Sequence, residues 1–237
     1  MTGAGPQSGV WGNRKMKKEL LVVFDLDGTL WDSAQSVAAS WNETFAARNV
    51  PLPPLTAEDI HRVMGMTKTE IAEKLQPEME PVRRGNVFDE CFQHEVDYLY
   101  DHPGELFPGL REALETLRDD GYTMAIVSNC QLGYVESFLH GSGLGYLFAD
   151  YEEWERTGLP KGDNIRLVME RNGYTKAVYI GDTRKDEEAA RQAGIPFIHA
   201  AYGFGDAEAP EGVIRDISEL PGLLRKTGGR PDDKKHE

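Results

Sequence analysis

Leu20-Leu21-Val22-Val23-Phe24-Asp25-Leu26-Asp27-Gly28-Thr29 is an apolar run that ends in two carboxylates, a glycine and a hydroxyl. The run reads as a buried strand, and the polar residues stand where that strand would emerge. Along extended backbone, residues two apart point the same way, so Asp25 and Asp27 face one site while Leu26 turns into the core. Gly28 allows a ligand close to the backbone, and Thr29 offers a hydroxyl. A capped turn would use the same residue types. A calcium loop would not: an EF-hand needs glycine sixth and glutamate twelfth, whereas Gly28 is fourth here and Ser36 twelfth.

Downstream, Asp32 or Ser33 can cap a helix carrying Val37, Trp41 and Phe45, which the prolines at 51, 53 and 54 break. Residues 57–63 and 68–75 read as short helices around Met64-Gly65-Met66-Thr67, and 82–100 as a longer one with Phe88, Phe92, Val96 and Leu99 on one stripe. Residues 33 to about 102 therefore contain helices only. After Pro103-Gly104 and Pro108-Gly109 the pattern alternates. A helix through Leu110, Leu114 and Leu117 precedes a strand over 122–127 that runs into Ser128-Asn129. A helix through Leu132, Val135 and Leu139 leads to a brief strand at 147–149, then to a helix capped by Asp163. A strand over 177–180 runs into Gly181-Asp182, a helix spans 184–193, a strand 196–200, and a small strand-helix pair lies near 213–224.

Strands and helices alternating at this length predict an α/β fold, a mostly parallel sheet covered on both faces, with the helical block as an insertion. Ligands of open α/β sheets bind outside the carboxyl ends of the strands. Three strand ends deliver polar groups there: Asp25 with Asp27, Ser128, and Asp182. Asp182 and Asp186 also sit where a helix N-terminus favours carboxylates. Beside Asp25 they make the second arm of a hard-cation site of the kind that suits Mg²⁺.

Bulk properties narrow the partners. The 237 residues are 40% hydrophobic, enough for a proper core, and 40 acidic against 26 basic residues give a net charge of -14. That balance argues against nucleic acid and against an anionic membrane surface. Cys91 and Cys130 form no CxxC or disulfide-framework spacing, as expected in a reducing cytoplasm. Cys130 reads as a plain small residue at a strand end. Residues 1–17 have no apolar core of signal-peptide length and read as a disordered leader; 227–237 read as a disordered tail.

Asp25-Leu26-Asp27-Gly28-Thr29, Ser128-Asn129, Lys161 and Gly181-Asp182-Thr183-Arg184-Lys185-Asp186, in that order, resemble the four motifs of the haloacid dehalogenase superfamily of hydrolases. The resemblance covers residues 18 to about 224. It implies a Rossmann-like core over 18–32 and 103–226, with residues 33–102 as an inserted helical cap. It also implies a Mg²⁺-dependent phosphatase of a small phosphorylated metabolite, such as phosphoglycolate. By that resemblance Asp25 is the nucleophile and Asp27 the acid/base. Asp25, the Asp27 carbonyl and Asp182 would hold Mg²⁺, with Lys161 alongside and Asp186 supporting the metal or the lysine. Ser128, Asn129, Gly28 and Thr29 would hold the phosphoryl group, and Lys68 would reach in from the cap. Gly162 stands where many relatives have proline after the lysine. Dehalogenases of the superfamily lack the second aspartate. The sugar phosphomutases carry a histidine twelve residues after the nucleophile, where this chain has Val37. A non-catalytic homologue would have lost part of the carboxylate set. Hydrolysis of a phosphomonoester is the preferred expectation, with a sugar phosphomutase as the alternative and a 2-haloacid dehalogenase or a non-catalytic homologue behind it.

Overall fold

The computed structural model describes residues 19–227. The expected leader, and all but residue 227 of the expected tail, lie outside the described residues. The first strand, β1 (Leu20–Phe24), is buried on both faces, and its alternate residues feed two separate cores. Val22 and Phe24 join one apolar cluster; Leu21 and Val23 join the other. The same alternation recurs in β4 (Thr123–Ser128), where Met124 and Ile126 face one way and Ala125 and Val127 the other.

After β1 the chain passes through β2 (Trp31–Asp32) into four helices: α1 (Ala34–Ala47), α2 (Ala57–His61), α3 (Lys68–Leu75) and α4 (Pro81–Asp101). It returns through β3 (Glu105–Leu106), which pairs antiparallel with β2. At this crossing a Cβ on Gly104 would stand 2.7 Å from the Asp32 carbonyl oxygen, so only glycine lets the passages lie side by side. Thr56 and Thr67 close capping boxes with Asp59 and Glu70 at the starts of α2 and α3. The apolar stripe of α1 meets that of α4 edge to face, Trp41 against Phe88 and Phe92 with ring centroids 5.7 and 5.3 Å apart.

The remaining elements are α5 (Leu110–Asp119), β4, α6 (Tyr134–Ser142), β5 (Phe148–Glu153), α7 (Trp154–Thr157), α8 (Lys161–Arg171), β6 (Lys176–Gly181), α9 (Arg184–Ala193), β7 (Phe197–Ala200), β8 (Gly212–Ile214) and α10 (Leu220–Thr227). The six-stranded sheet runs β5-β4-β1-β6-β7-β8, and every pair in it is parallel. Connections step outward through β4 and β5 on one side of β1, then through β6, β7 and β8 on the other. The switch point between β1 and β6 opens the crevice where such sheets bind ligands. Among the described residues, no helix is long and apolar enough to cross a membrane.

The short β2, β3 and α7 have no counterpart among the expected elements, and β5 and α8 differ in their bounds. Strand β5 runs to Glu153 rather than stopping at 149, because its last two residues are glutamates, both buried, which no apolar pattern reveals. Glu152 accepts from Arg171 Nη1 at 2.5 Å and Glu153 from the Val135 amide at 2.8 Å, which satisfies them. Helix α8 begins at Lys161, two residues before the expected cap Asp163, which sits in its first turn instead.

Phe138 of α6 is fully buried, 5.2 Å from the Trp31 ring and 6.1 Å from that of Phe148. Phe138→Ala leaves a cavity between the sheet and the passage to the helices. It is expected to lower unfolding stability by about 3–5 kcal/mol, read as a lower urea midpoint at unchanged slope.

Candidate active site

Asp25 follows β1 directly, and its amide donates to Ile180 O of β6 at 2.8 Å. Lys161, first residue of α8, places its ammonium between two carboxylates, 2.8 Å from Asp25 Oδ1 and 2.7 Å from Asp186 Oδ1. All three side chains are buried. Asp186 is also the third residue of α9, where its Oδ2 accepts from the Thr183 amide and hydroxyl at 3.0 and 2.6 Å. Asp182 lies between, its Oδ2 accepting from the Phe204 amide at 2.8 Å. A Cβ on Gly28 would fall 2.3 Å from Asp182 Oδ2, and φ there is +78°. Glycine is therefore required for that carboxylate to reach the site.

The electrostatics show an excess of negative charge. Burial, then the charge of Asp186, pushes Asp25 up to about 7 against the pull of Lys161. Burial, then Asp186 and Asp25, pushes Asp182 up to about 8. For Lys161, burial opposes the charge, but Asp186 and Asp25 outweigh it and hold the ammonium well above its ordinary range. Carboxylate oxygens of Asp25, Asp182 and Asp186 lie within 4.8 Å of one another. Three carboxylates against one ammonium leave two negative charges, which a divalent cation would balance. Asp182 Oδ1 is buried with no hydrogen-bond partner, the free ligand atom such an ion needs. The residues present thus fit Mg²⁺. Asp186 belongs to this cluster, although both its oxygens are already engaged. The carboxylate of Asp27 lies outside it.

Asp27 has separate surroundings. Its Oδ1 accepts from Ser33 Oγ at 2.8 Å and Tyr134 OH at 2.9 Å, and those two hydroxyls are 2.7 Å apart. With Asp27 ionised, two hydrogens serve three contacts; a proton on the carboxyl completes a ring of three. Burial raises Asp27 to about 6, partly offset by donation from Ser33 and Tyr134.

A cleft of about 390 Å³ lies above these groups, between the sheet edge and the helices. Ser128, Asn129, Lys161 and Lys68 line it with Asp25, Asp27 and Asp182. Gly28 and Thr29 are not among its lining residues, and the Thr29 hydroxyl is buried with no partner. Lys68 is held by Glu155 at 2.7 Å. Trp31 packs fully inside, whereas Trp41 reaches the cleft wall. Burial, with the charges of Glu153 and Asp27, pushes the Cys130 thiol well above its usual range, so it is no ready nucleophile.

Sequence reasoning missed Ser33, Tyr134 and Glu95. Glu95, on the buried side of α4, also lines the cleft; its Oε2 accepts from Trp41 Nε1 at 2.6 Å and its Oε1 from Gln131 Nε2 at 3.0 Å. The signal was present, since Glu95 stands three residues after Phe92 and four before Leu99, on their stripe.

A strand-end aspartate pair, a buried lysine at the start of α8 and acids after β6, beside the helices between β1 and β4, are the arrangement expected of a haloacid dehalogenase-like hydrolase. The sequence profile of haloacid dehalogenase-like hydrolases matches residues 22–200, and the chain belongs to that family. The chain is 30% identical over 222 residues to a phosphoglycolate phosphatase of Agrobacterium fabrum, covering 87% of this chain and 93% of that one. It is 31% identical over 215 residues to a phosphoglycolate phosphatase of Rhodobacter capsulatus, covering 86% and 95%. The crystal structure of a predicted phosphoglycolate phosphatase from Haemophilus somnus superposes with a TM-score of 0.75 at 22% identity, covering 87% of this chain and 99% of that one.

Burial raises Glu95 from 4.5 to about 8, against the donors Gln131 and Trp41. Between those values the unfolded chain holds fewer protons at this site than the folded one, so Glu95 makes stability fall as pH rises from about 4.5 to about 8. Glu95→Gln removes that slope. Urea unfolding should show the variant gaining on the parent by roughly 1–4 kcal/mol from pH 5 to pH 8; a constant difference would place Glu95 in the ordinary carboxylate range.

Proposed function

We propose that the protein is a Mg²⁺-dependent phosphatase of small phosphomonoesters, working through an aspartyl-phosphate on Asp25, with residues 33–102 as a cap over the site. The observation that carries this reading is the contrast between its two leading carboxylates. Asp25 lies against an ammonium that favours its ionised form, whereas Asp27 lies in a hydroxyl ring that can hold a proton. One is suited to attack and the other to proton transfer.

In the first step an Asp25 carboxylate oxygen bonds to phosphorus as the ester P–O bond breaks, and the proton on Asp27 goes to the departing alkoxide. In the second, Asp27 takes a proton from water, whose oxygen bonds to phosphorus and releases Asp25. A value near 6 lets Asp27 serve both directions close to neutral pH. Lys161 favours the ionised form of Asp25 against burial and Asp186, and Ser128 at the end of β4 lines the cleft, where its hydroxyl can hold a phosphoryl oxygen. Mg²⁺ held by Asp25, Asp182 and the Asp27 carbonyl, with Asp186 behind, would supply the positive charge that offsets carboxylate against phosphate. Val37 meets the cleft as an apolar wall, with no group to shuttle a proton in mutase fashion. Both cysteines are unpaired, and we place the enzyme in the cytoplasm.

The test is phosphate release from a broad phosphomonoester panel, headed by phosphoglycolate because the relatives bear that name. Release should require Mg²⁺ and stop with EDTA. Asp25→Asn should lower kcat by at least ~10³-fold, and Asp27→Asn by about 10²–10⁴-fold. Bound Mg²⁺ with no release from any member of the panel would refute the reading.

A further inference from the structure

We propose, resting on the phosphatase reading, that the helical half of the cleft takes a largely apolar leaving group whose far end bears a hydrogen-bond donor for Glu95, and that it rejects a carboxylate there. The two halves of the cleft differ in chemistry. The sheet edge supplies Asp25, Ser128, Lys161 and Asp182, which suit the phosphoryl group. The helices supply Trp41, Ile60, Val63, Met66, Ile71 and Phe92, which suit carbon.

Glu95 is the acid set into that apolar wall, 4% exposed. Each of its oxygens accepts one bond, from Trp41 or Gln131, and each keeps a second lone pair. An ammonium or hydroxyl on the ligand would find an acceptor in place. A carboxylate would lose its hydration to apolar walls and, once Glu95 is ionised, meet a like charge.

Each described cation lining the cleft already has a polar partner. Among the described lining residues, the cations are Lys68, Lys161 and Lys185. Lys161 is committed to Asp25 and Asp186. Lys68 pairs with Glu155 at 2.7 Å and lies 5.0 Å above the Phe92 ring. Lys185 donates to Gly65 O at 2.8 Å. The volume points the same way, since about 390 Å³ falls in the range of pockets, about 300–1,000 Å³, that enclose ligands far larger than a two-carbon acid. The charges acting on Glu95 are Asp27 and Lys68, and burial keeps it protonated up to about pH 8. Discrimination by charge is therefore sharpest above that pH.

The test uses n-alkyl monophosphates of one chain length ending in methyl, ammonium or carboxylate. Their Kd values are measured calorimetrically at pH 9 on the full-length Asp25→Asn protein with Mg²⁺, and phosphate release is measured on the parent. The carboxylate member should bind at least about 10-fold more weakly than the other two. Adding Glu95→Gln should shrink the ammonium-to-carboxylate affinity ratio by a similar factor, which a merely structural role would not do. Equal or tighter binding of the carboxylate, an unchanged ratio in the Glu95 variant, or no binding by any member would overturn the proposal. The expected order of Kd with no phosphate release would uphold the pocket and refute the phosphatase instead.

Discussion

The site depends on one buried ammonium. Carboxylate oxygens of Asp25, Asp182 and Asp186 within 4.8 Å of one another would, without a counter-charge, be driven to take up protons. Lys161 at 2.7 and 2.8 Å is the cation the chain itself provides. Its placement is also architectural. The lysine opens α8, Asp25 directly follows β1 and Asp186 sits in the first turn of α9, so one side chain ties three elements together at the switch point of the sheet. Breaking such a pair leaves an uncompensated buried charge, which costs about 3–5 kcal/mol. The contacts that hold the Asp25 carboxylate are thus the ones that close the sheet edge.

A second dependence runs through Asp27 to the helices. The Ser33 hydroxyl is in position to cap α1 but is turned to Asp27 instead, and Asp32 accepts from the Ala34 amide at 3.0 Å in its place. Asp32 in turn meets His61 of α2, with Nε2 3.0 Å from both its oxygens, and the His61 ring lies tilted against that of Phe204 with centroids 4.3 Å apart. The Phe204 amide holds Asp182. A chain of short contacts therefore runs from Asp27, through the passage into the helical block, to the carboxylate with the free oxygen. Movement of the helices relative to the sheet would be felt at both.

The sheet was legible because its strands are buried on both faces. Phe24-Asp25 and Ile180-Gly181-Asp182 each show an apolar run stopped by an acid, and an unbroken apolar run needs no partner to be recognised. The helical block was legible from the stripe of Trp41, Phe88 and Phe92. Only the C-terminal part of β5 was hidden, because Glu152 and Glu153 are acidic and gain their burial from Arg171 and the α6 backbone, both distant in sequence. Within the site, motif spacing indicated Asp25, Asp27, Lys161 and Asp182. Ser33 and Tyr134 carry no such mark, since a hydroxyl acquires its role only when a carboxylate is folded against it, here across a separation of 107 residues for Tyr134.

Glu95 shows what packing alone leaves unexplained. Its stripe on α4 is otherwise built from Phe88, Phe92 and Leu99, and a buried carboxylate there costs stability that an apolar residue would not. The Trp41 N–H needs an acceptor once buried, which accounts for an oxygen at this position. It does not account for a charge, because a glutamine could accept from Trp41 and pair with a reoriented Gln131 amide. The need for an acceptor explains the polar atom; the ionisable acid is a further expense, carried at the wall of the cleft rather than elsewhere along the helix. Stability given up at a ligand-facing position is the usual mark of function. On that ground Glu95 fits the proposed recognition of what enters the cleft, and the aspartates at the sheet edge fit the proposed phosphoryl chemistry.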